Sequence, residues 1–574
     1  MLFTLNGRLA RGAYWLASLF YWCTFYVLYN ILWYAIGPGA TFFLYPLLFW
    51  IIFATSAKRL HDHNKSAYWL LVVLVPVFGP LLLLYFLGFK KGSYTANRYG
   101  TVPGAAPDYL KNDEGRAIPH LKTEERIIDD VTKLNPVLVS KIMRPQTVDE
   151  LCEIVKTSKG PISTGGGRFS MGGQTASPHS VHIDMRGLNK VLHFSKEDKL
   201  IKVQAGIRWC DIQQYVDEYD LSIKIMQTYA NFTVGGALSV NAHGRYIGMG
   251  PVVLSVRSID VVLADGSLVN ATRTINQEIF FAAIGGYNGI GIIAQAELEL
   301  ADNLAIKRVS KKMQVDEYKD YFFKNIRDNP KAVFHNGDIY PPKYNRLRAV
   351  TWIETDEKPT VKTRLMPLKE SYPLDRYFLW VFTERPLGKW YREFLIDPLL
   401  YKGKKIHWRN YEAGYDVAEL EPKSRTDSTY VLLEYFVPVQ RFEEFEEAMS
   451  EIFIRFNVNV LNVSMRHAFA DPGTYLAWAR EEVFAFVVYY KQRTDAASKN
   501  AVAIWTRELA DAVIAVNGSY YLPYQVHPTA EQFHGAYPNA YKLFHLKDKL
   551  DPDYKFRNIL WDTYYKPLNQ QNNG

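Results

Sequence analysis

Three stretches near the start of the chain carry no charge: Ala13 to Ile36 over 24 positions, Thr41 to Ala57 over 17, and Ala67 to Phe89 over 23. A helix needs about 20 consecutive apolar residues to cross a bilayer's hydrocarbon core. The first stretch predicts a spanning helix, the third is long enough for one, and the second is short. A cleaved leader fits poorly, because the first stretch is too long and more apolar segments follow. Trp15, Tyr21, Trp22, Trp33, Tyr34, Tyr68 and Trp69 lie near the segment ends, where amphipathic rings favour the interface. The third stretch holds Val75-Pro76-Val77-Phe78-Gly79-Pro80 at its middle. That run predicts a break, which allows a re-entrant dip as the alternative to a crossing.

Thr101 to about Pro119 reads as a linker. From Val137 the pattern changes to short β-rich runs separated by turn residues and helices. Thr147 predicts a helix start, with Asp149 and Glu150 in its first turn. A strand over Pro161–Thr164 runs into Gly165-Gly166-Gly167-Arg168-Phe169-Ser170-Met171-Gly172-Gly173. Strands follow at Val181–Asp184 and Leu200–Ala205, then a helix with Trp209, Ile212 and Val216 on one face. Next come Thr233-Val234-Gly235-Gly236-Ala237-Leu238-Ser239-Val240-Asn241-Ala242-His243-Gly244, a strand Ile259–Leu263 ending in the turn Ala264-Asp265-Gly266, and Ile284-Gly285-Gly286 through Gly291-Ile292-Ile293. Further on, Thr429–Pro438 and Val483–Tyr490 read as buried strands. Between them Asn462–His467 ends a strand with the cation Arg466.

Length and composition narrow the class. At roughly 100–200 residues per domain, 574 residues hold three or more units. With 48% hydrophobic and 22% charged residues, wholesale disorder is excluded. Three cysteines, Cys23, Cys152 and Cys210, exclude a disulfide-built scaffold and any C-x-x-C metal knuckle. The net charge is 67 − 59 = +8. Residues 1–100 hold eight basic residues against Asp62 alone, a net of +7, which leaves +1 for everything after. This distribution argues against nucleic acid, which needs a basic stripe on a folded domain. It reads as a topology signal instead. The three basic clusters flank the apolar stretches, and the positive-inside rule predicts that all three, and the bulk of the chain, are cytoplasmic. His61 and His63 between the second and third stretches predict a solvated loop, with no metal.

The first Gly run follows a strand, so its backbone can approach a ligand closely with N–H groups facing a diphosphate. It has neither the Gly-x-Gly-x-x-Gly order nor a Gly-Lys-Ser/Thr ending, so it is neither a Rossmann fingerprint nor a P-loop.

Two resemblances organise these blocks. Gly7-Arg8-x-x-Arg11-x-x-Tyr14-Trp15, Arg59-Leu60-His61-Asp62 and Asn97-Arg98-Tyr99-Gly100 resemble a small bacterial inner-membrane domain family of unknown function. The ordered Gly-rich blocks over residues 137–300 resemble the FAD-binding domain of the vanillyl-alcohol oxidase and p-cresol methylhydroxylase superfamily. Within it they are most similar to the decaprenylphosphoryl-ribose oxidase and aldonolactone oxidase branches. The resemblance implies an α+β chain: a helical membrane domain (1–100), a linker (101–136), a two-lobed FAD-binding domain (137–305), an α+β substrate cap (306–530) and a C-terminal return to the FAD domain (531–574). It implies FAD held by Gly165, Gly166, Gly167, Arg168, Phe169, Ser170 and Met171, by Thr233, Gly235, Gly236, Ser239, Asn241, His243 and Gly244, and by Gly291, Ile292 and Ile293. Members that attach the flavin covalently use a His in the first loop; Arg168-Phe169 stands there, which implies non-covalent FAD. His243 has two roles open to it, packing beneath the phosphates or chemistry.

The same resemblance matches Glu434 and Arg466 to an acid and an Arg that contact sugar hydroxyls, with a Glu–Arg pair that merely holds the sheet as the alternative. Tyr524 stands where relatives place a Lys or His over the flavin, with His527 close by. Alcohol oxidation needs a base, and His527 is the expected one, with Tyr524 orienting the hydroxyl. The expectation is an inner-membrane, multi-pass FAD oxidoreductase acting on a secondary alcohol of a sugar, aldonolactone or lipid-linked sugar. Its expected partners are oxygen or a quinone as acceptor, membrane lipids and a short-chain reductase. A flavin-dependent double-bond reductase and a non-catalytic flavin protein remain as alternatives.

Overall fold

A computed structural model describes residues 3–92, 99, 126–369, 372–420, 422 and 424–565. Asn97, Arg98, Gly100 and the linker residues 101–125 lie outside the described residues. The chain divides into two compact units, one N-terminal and one holding nearly all of the remainder.

In the N-terminal unit, Arg11–Ala35 and Pro38–Asp62 are helical and are long and apolar enough to cross a membrane. The third apolar stretch does not form one helix. A 3-10 segment, Ala67–Leu74, gives way at Val75–Val77 to a short α-helix, Phe78–Leu84. Pro76 cannot donate a helical hydrogen bond and crowds the residue before it, and Val77 takes a left-handed φ of 66°. The charged residues of this unit tie its ends together. Asp62 accepts from Arg8 (2.8 Å) and from Arg59, while Arg59 Nε donates to Leu87 O (3.0 Å) and Arg11 to Phe89 O (3.0 Å). His61 is not the solvated loop residue expected from the sequence. It ends a helix, is buried, and its Nδ1 lies 3.1 Å from Gly7 O.

The larger unit contains three principal sheets. A parallel three-stranded sheet places Val181–Asp184 between Lys141–Met143 and Ile162–Gly165. The helix Val148–Thr157 covers it, and Thr147 caps that helix by accepting from Glu150 N (3.1 Å). A six-stranded antiparallel sheet is centred on Ile292–Asp302, which pairs with Val256–Val262 on one side and Leu200–Gln204 on the other. An eight-stranded antiparallel sheet contains Ser428–Pro438, Val460–Ala468 and Val483–Arg493 side by side, with Val483–Arg493 in the middle of the three. The chain then returns to its start: Phe556 bridges Ile162 in parallel and is buried against Leu151 and Ile183.

Candidate functional site

The Gly run leaves the parallel sheet at Gly165 and bends sharply. A Cβ on Gly166 would strike the Thr233 hydroxyl, so the loop touches the start of the helix Val234–Ser239 only because that side chain is missing. Phe169 stacks on Phe232 with centroids 4.2 Å apart. Two hydrogen bonds bind the loop to the C-terminal segment: Met171 N donates to Pro523 O (2.6 Å), and Gln174 Nε2 to Tyr524 O (2.6 Å).

These contacts enclose one large cavity of about 1520 Å³, mouth included. Of the residues predicted to hold the cofactor, Gly165 through Met171, Thr233, Gly235, Gly236, Ser239, His243, Ile292 and Ile293 line it.

Asn241, Gly244 and Gly291 do not. Asn241 is a structural hub with a left-handed φ of 51°. Its Nδ2 donates to Asp471 (2.7 Å), its Oδ1 accepts from Val253 N (3.2 Å), and its carbonyl accepts from Trp478 Nε1 (2.9 Å). Gly244 and Gly291 are hemmed in by the backbone carbonyls of Met226 and Val262.

On the opposite wall, Glu434, Arg466 and Tyr524 all face the cavity. Glu434 pairs with His243, not with Arg466. His243 Nε2 lies 2.6 Å from Glu434 Oε1, and both side chains are only 3% exposed. The other ring nitrogen lies 3.2 Å from Gly244 O, so both nitrogens face oxygen acceptors. The imidazole packs against Trp478 and Phe436 (centroids 4.8 and 5.5 Å), which stack on each other. The Tyr524 hydroxyl stands 3.4 Å from Glu434 Oε2. Burial, reinforced by the Glu434 charge, pushes the Tyr524 phenol far above its usual range, so it stays neutral.

His527 is not brought to the cavity. A turn closed by its N–H on Gln525 O (2.9 Å) sets it beside Arg507, whose Nε donates to the His527 carbonyl (2.7 Å). Burial first, and then the Arg507 charge, depress its pKa to about 4.

The sequence reading missed Tyr430, Leu432, Val487 and Tyr489, which also line the cavity. Their signal was the two-residue period of a strand. Tyr430, Leu432 and Glu434 alternate along one strand, while Val487 and Tyr489 sit opposite Glu434 and Leu432 on the next. Tyr229 and Thr228 come from a loop with no such period.

Polar atoms left over in the cavity wall suit an added group. Thr164 Oγ1, Thr228 Oγ1 and Arg466 Nε are buried and have no hydrogen-bond partner among the described residues. Buried polar atoms are normally satisfied, so a bound molecule with acceptor oxygens fits all three positions.

An FAD-binding domain family matches residues 139–272, the stretch that supplies the Gly loop and the Thr233–Gly236 turn. The chain carries an FAD-binding domain. FAD is the cofactor, and the Gly loop, Thr233, Gly235, Gly236, Ile292 and Ile293 line the cavity. A second family, of proteins of unknown function (DUF805), matches residues 2–101. The chain is similar to decaprenylphosphoryl-beta-D-ribose oxidase of Mycolicibacterium smegmatis, with 23% identity over 69% of this chain and 87% of the relative. It is similar to cytokinin dehydrogenase 3 of Arabidopsis thaliana (27% identity over 30% of this chain and 34% of the relative) and to L-gulonolactone oxidase of Bos taurus (22% over 46% and 59%). In these last two the match spans less than two thirds of the relative's length.

Proposed function

We propose that this protein is an FAD-dependent oxidoreductase, anchored in the bacterial inner membrane by its N-terminal helices, that oxidises a secondary alcohol of a sugar, aldonolactone or lipid-linked sugar. The observation that carries the reading is the buried His243–Glu434 pair on the wall facing the FAD-binding loops. Two relatives whose names state a sugar or sugar-lactone substrate support it.

Oxidising an alcohol removes a hydride from carbon and a proton from the hydroxyl. Bound FAD supplies the hydride acceptor. The chain must supply a base, and Glu434 Oε2 is placed for it. Oε1 is taken by His243, whereas Oε2 meets only the long contact from Tyr524 among the described residues. Tyr524, neutral, donates to the substrate oxygen and orients it. Arg466 offers its free Nε to a further hydroxyl or to an anionic group of the substrate. The eight-stranded sheet and its helices (306–530) act as the cap that excludes water. With Arg168-Phe169 at the place of a covalent His, the flavin is bound non-covalently.

Oxygen or a quinone takes the electrons onward, and the keto product is of the class a short-chain reductase consumes. The basic clusters of residues 1–100 keep the catalytic part cytoplasmic. The test is anaerobic bleaching of the yellow protein by a panel of aldonolactones, polyols and prenyl-phosphate sugars. A substrate that bleaches the flavin is expected among them; a flavin that none of them reduces overturns the reading.

A further inference from the structure

The helices between Pro373 and Leu400 are amphipathic in the wrong sense for a water-exposed surface. Three of their charged residues, Arg392, Glu393 and Asp397, point inward. Glu393 forms an ion pair with Lys312 (2.8 Å), Asp397 accepts from the Tyr340 hydroxyl (2.7 Å), and Arg392 donates to Asn462 Oδ1 (2.8 Å), all on strands of the eight-stranded sheet or just past one. Both acids are buried. Their apolar residues point outward: Leu374 is 72% exposed, Leu399 70%, Leu387 64%, Leu395 47% and Trp390 46%. The helix Pro373–Glu384 has no fully buried residue, although most of its side chains are apolar or aromatic. Soluble helices show the reverse order, and a contiguous apolar patch of this kind marks a contact surface.

We propose that Pro373–Leu400 is a membrane-docking surface of the FAD-bearing unit, whose apolar face lies in the headgroup–acyl boundary of an anionic bilayer. Three observations choose a bilayer as the occupant. Trp380, Trp390 and Tyr391 are the amphipathic rings that favour that depth. With Glu393 and Asp397 turned inward, the exposed charges from 373 to 405 are Asp375 against Arg385, Lys402 and Lys404, a basic excess. The same chain also carries two helices of membrane-spanning length and apolarity.

The surface connects to the site. Leu379, on the helix Pro373–Glu384, packs on Tyr430 and Tyr489, and Thr383 Oγ1 lies 3.2 Å from the Tyr430 hydroxyl. Both tyrosines line the cavity. Docking of this helix therefore sets the cavity one side-chain layer from lipid, which selects the lipid-linked member of the proposed substrate class. That step rests on the function proposed above; the docking surface does not.

The test uses the full chain carrying Cys23→Ser, Cys152→Ser and Cys210→Ser, with a nitroxide label at Leu374→Cys or Leu395→Cys and a control label at the exposed Lys196→Cys. Each variant is reconstituted in vesicles of phosphatidylcholine and phosphatidylglycerol. Retained flavin colour certifies folding. Power saturation should show both helix labels preferring oxygen over a nickel chelate, with the Lys196→Cys label showing the opposite. Helix labels as open to the chelate as the control overturn the proposal. So does spin–spin broadening at Leu395→Cys, which would assign the face to a second copy. Neither readout depends on substrate turnover, so the two readings fail separately.

Discussion

His243 and Glu434 are 191 residues apart in sequence, yet Nε2 and Oε1 are 2.6 Å apart and almost fully sealed from solvent. The Gly-rich blocks supply one partner and the next-to-last strand of an eight-stranded sheet the other, so the pair exists only when the Thr233–Gly244 block and the sheet are both in place. Glu434→Gln keeps the shape and a hydrogen bond but removes the base. General-base loss typically costs about 10²–10⁴-fold, and the rate of anaerobic flavin reduction should fall by that much with FAD content unchanged. His243→Asn should add little on top of it, because residues acting as a unit are not additive. Reduction by Glu434→Gln at the wild-type rate would remove Glu434 from the chemistry.

Gly166→Ala tests the cradle. The new Cβ meets the Thr233 side chain, and overpacking of this kind costs about 1–3 kcal/mol. FAD affinity should then fall roughly tenfold or more, read as a lower flavin-to-protein absorbance ratio. Adding Thr233→Ala removes the struck atom and should restore part of the colour. Thr233 makes no side-chain cap bond that this would break.

Sequence patterns revealed local structure well and side-chain convergence poorly. The helix begun at Thr147, the strands Val181–Asp184 and Leu200–Gln204 and the Gly loop were legible, because capping and periodicity are short-range. The break at Pro76 was legible for the same reason. The placement of His527 was not: it is the expected base as an imidazole near neutral pH close to Tyr524, but a single turn after Tyr524 takes it to Arg507. Asn241 is grouped with the cofactor residues by its place in a Gly-rich block, whereas its left-handed backbone and its bonds to Asp471, Val253 and Trp478 make it a brace. The outward apolar face of Pro373–Leu400 needed the sheet beneath it, since no helical period states which side is covered.

Asp184 gives a pH prediction. It pairs in register with Gly165 at the root of the cofactor loop. Burial alone would raise its pKa, but hydrogen bonds and charge from Arg186 and Arg144 outweigh burial and lower it from 3.8 to about 2. The unfolded carboxylate takes up its proton near pH 3.8 and the folded one near pH 2. The stabilisation, about 2 kcal/mol, is therefore complete above about pH 4 and is lost as pH falls through 2. Asp184→Asn should lower the denaturation midpoint at pH 7 and leave a flatter acid limb, measured by chemical unfolding across pH.

Arg466→Met tests substrate contact. Hydrogen bonds to a charged group contribute about 1.5–3 kcal/mol, so KM should rise roughly 10–100-fold for a substrate that uses Arg466. Flavin content should stay at the wild-type level, because Arg466 lies on the sheet wall. Loss of flavin instead would move Arg466 to the cofactor.

His527→Ala separates the two histidines. If His527 were the base, its loss would slow flavin reduction as severely as Glu434→Gln is expected to. The geometry gives the opposite expectation. His527 does not line the cavity, and its pKa of about 4 leaves it neutral and a weak base at pH 7. What anchors the segment is its backbone carbonyl bound to Arg507, which the substitution retains. His527→Ala should reduce its flavin within about twofold of wild type, a change of under about 0.5 kcal/mol in barrier. A large drop with full flavin content would return the base to His527, and would require the Tyr524–His527 segment to rearrange when substrate binds.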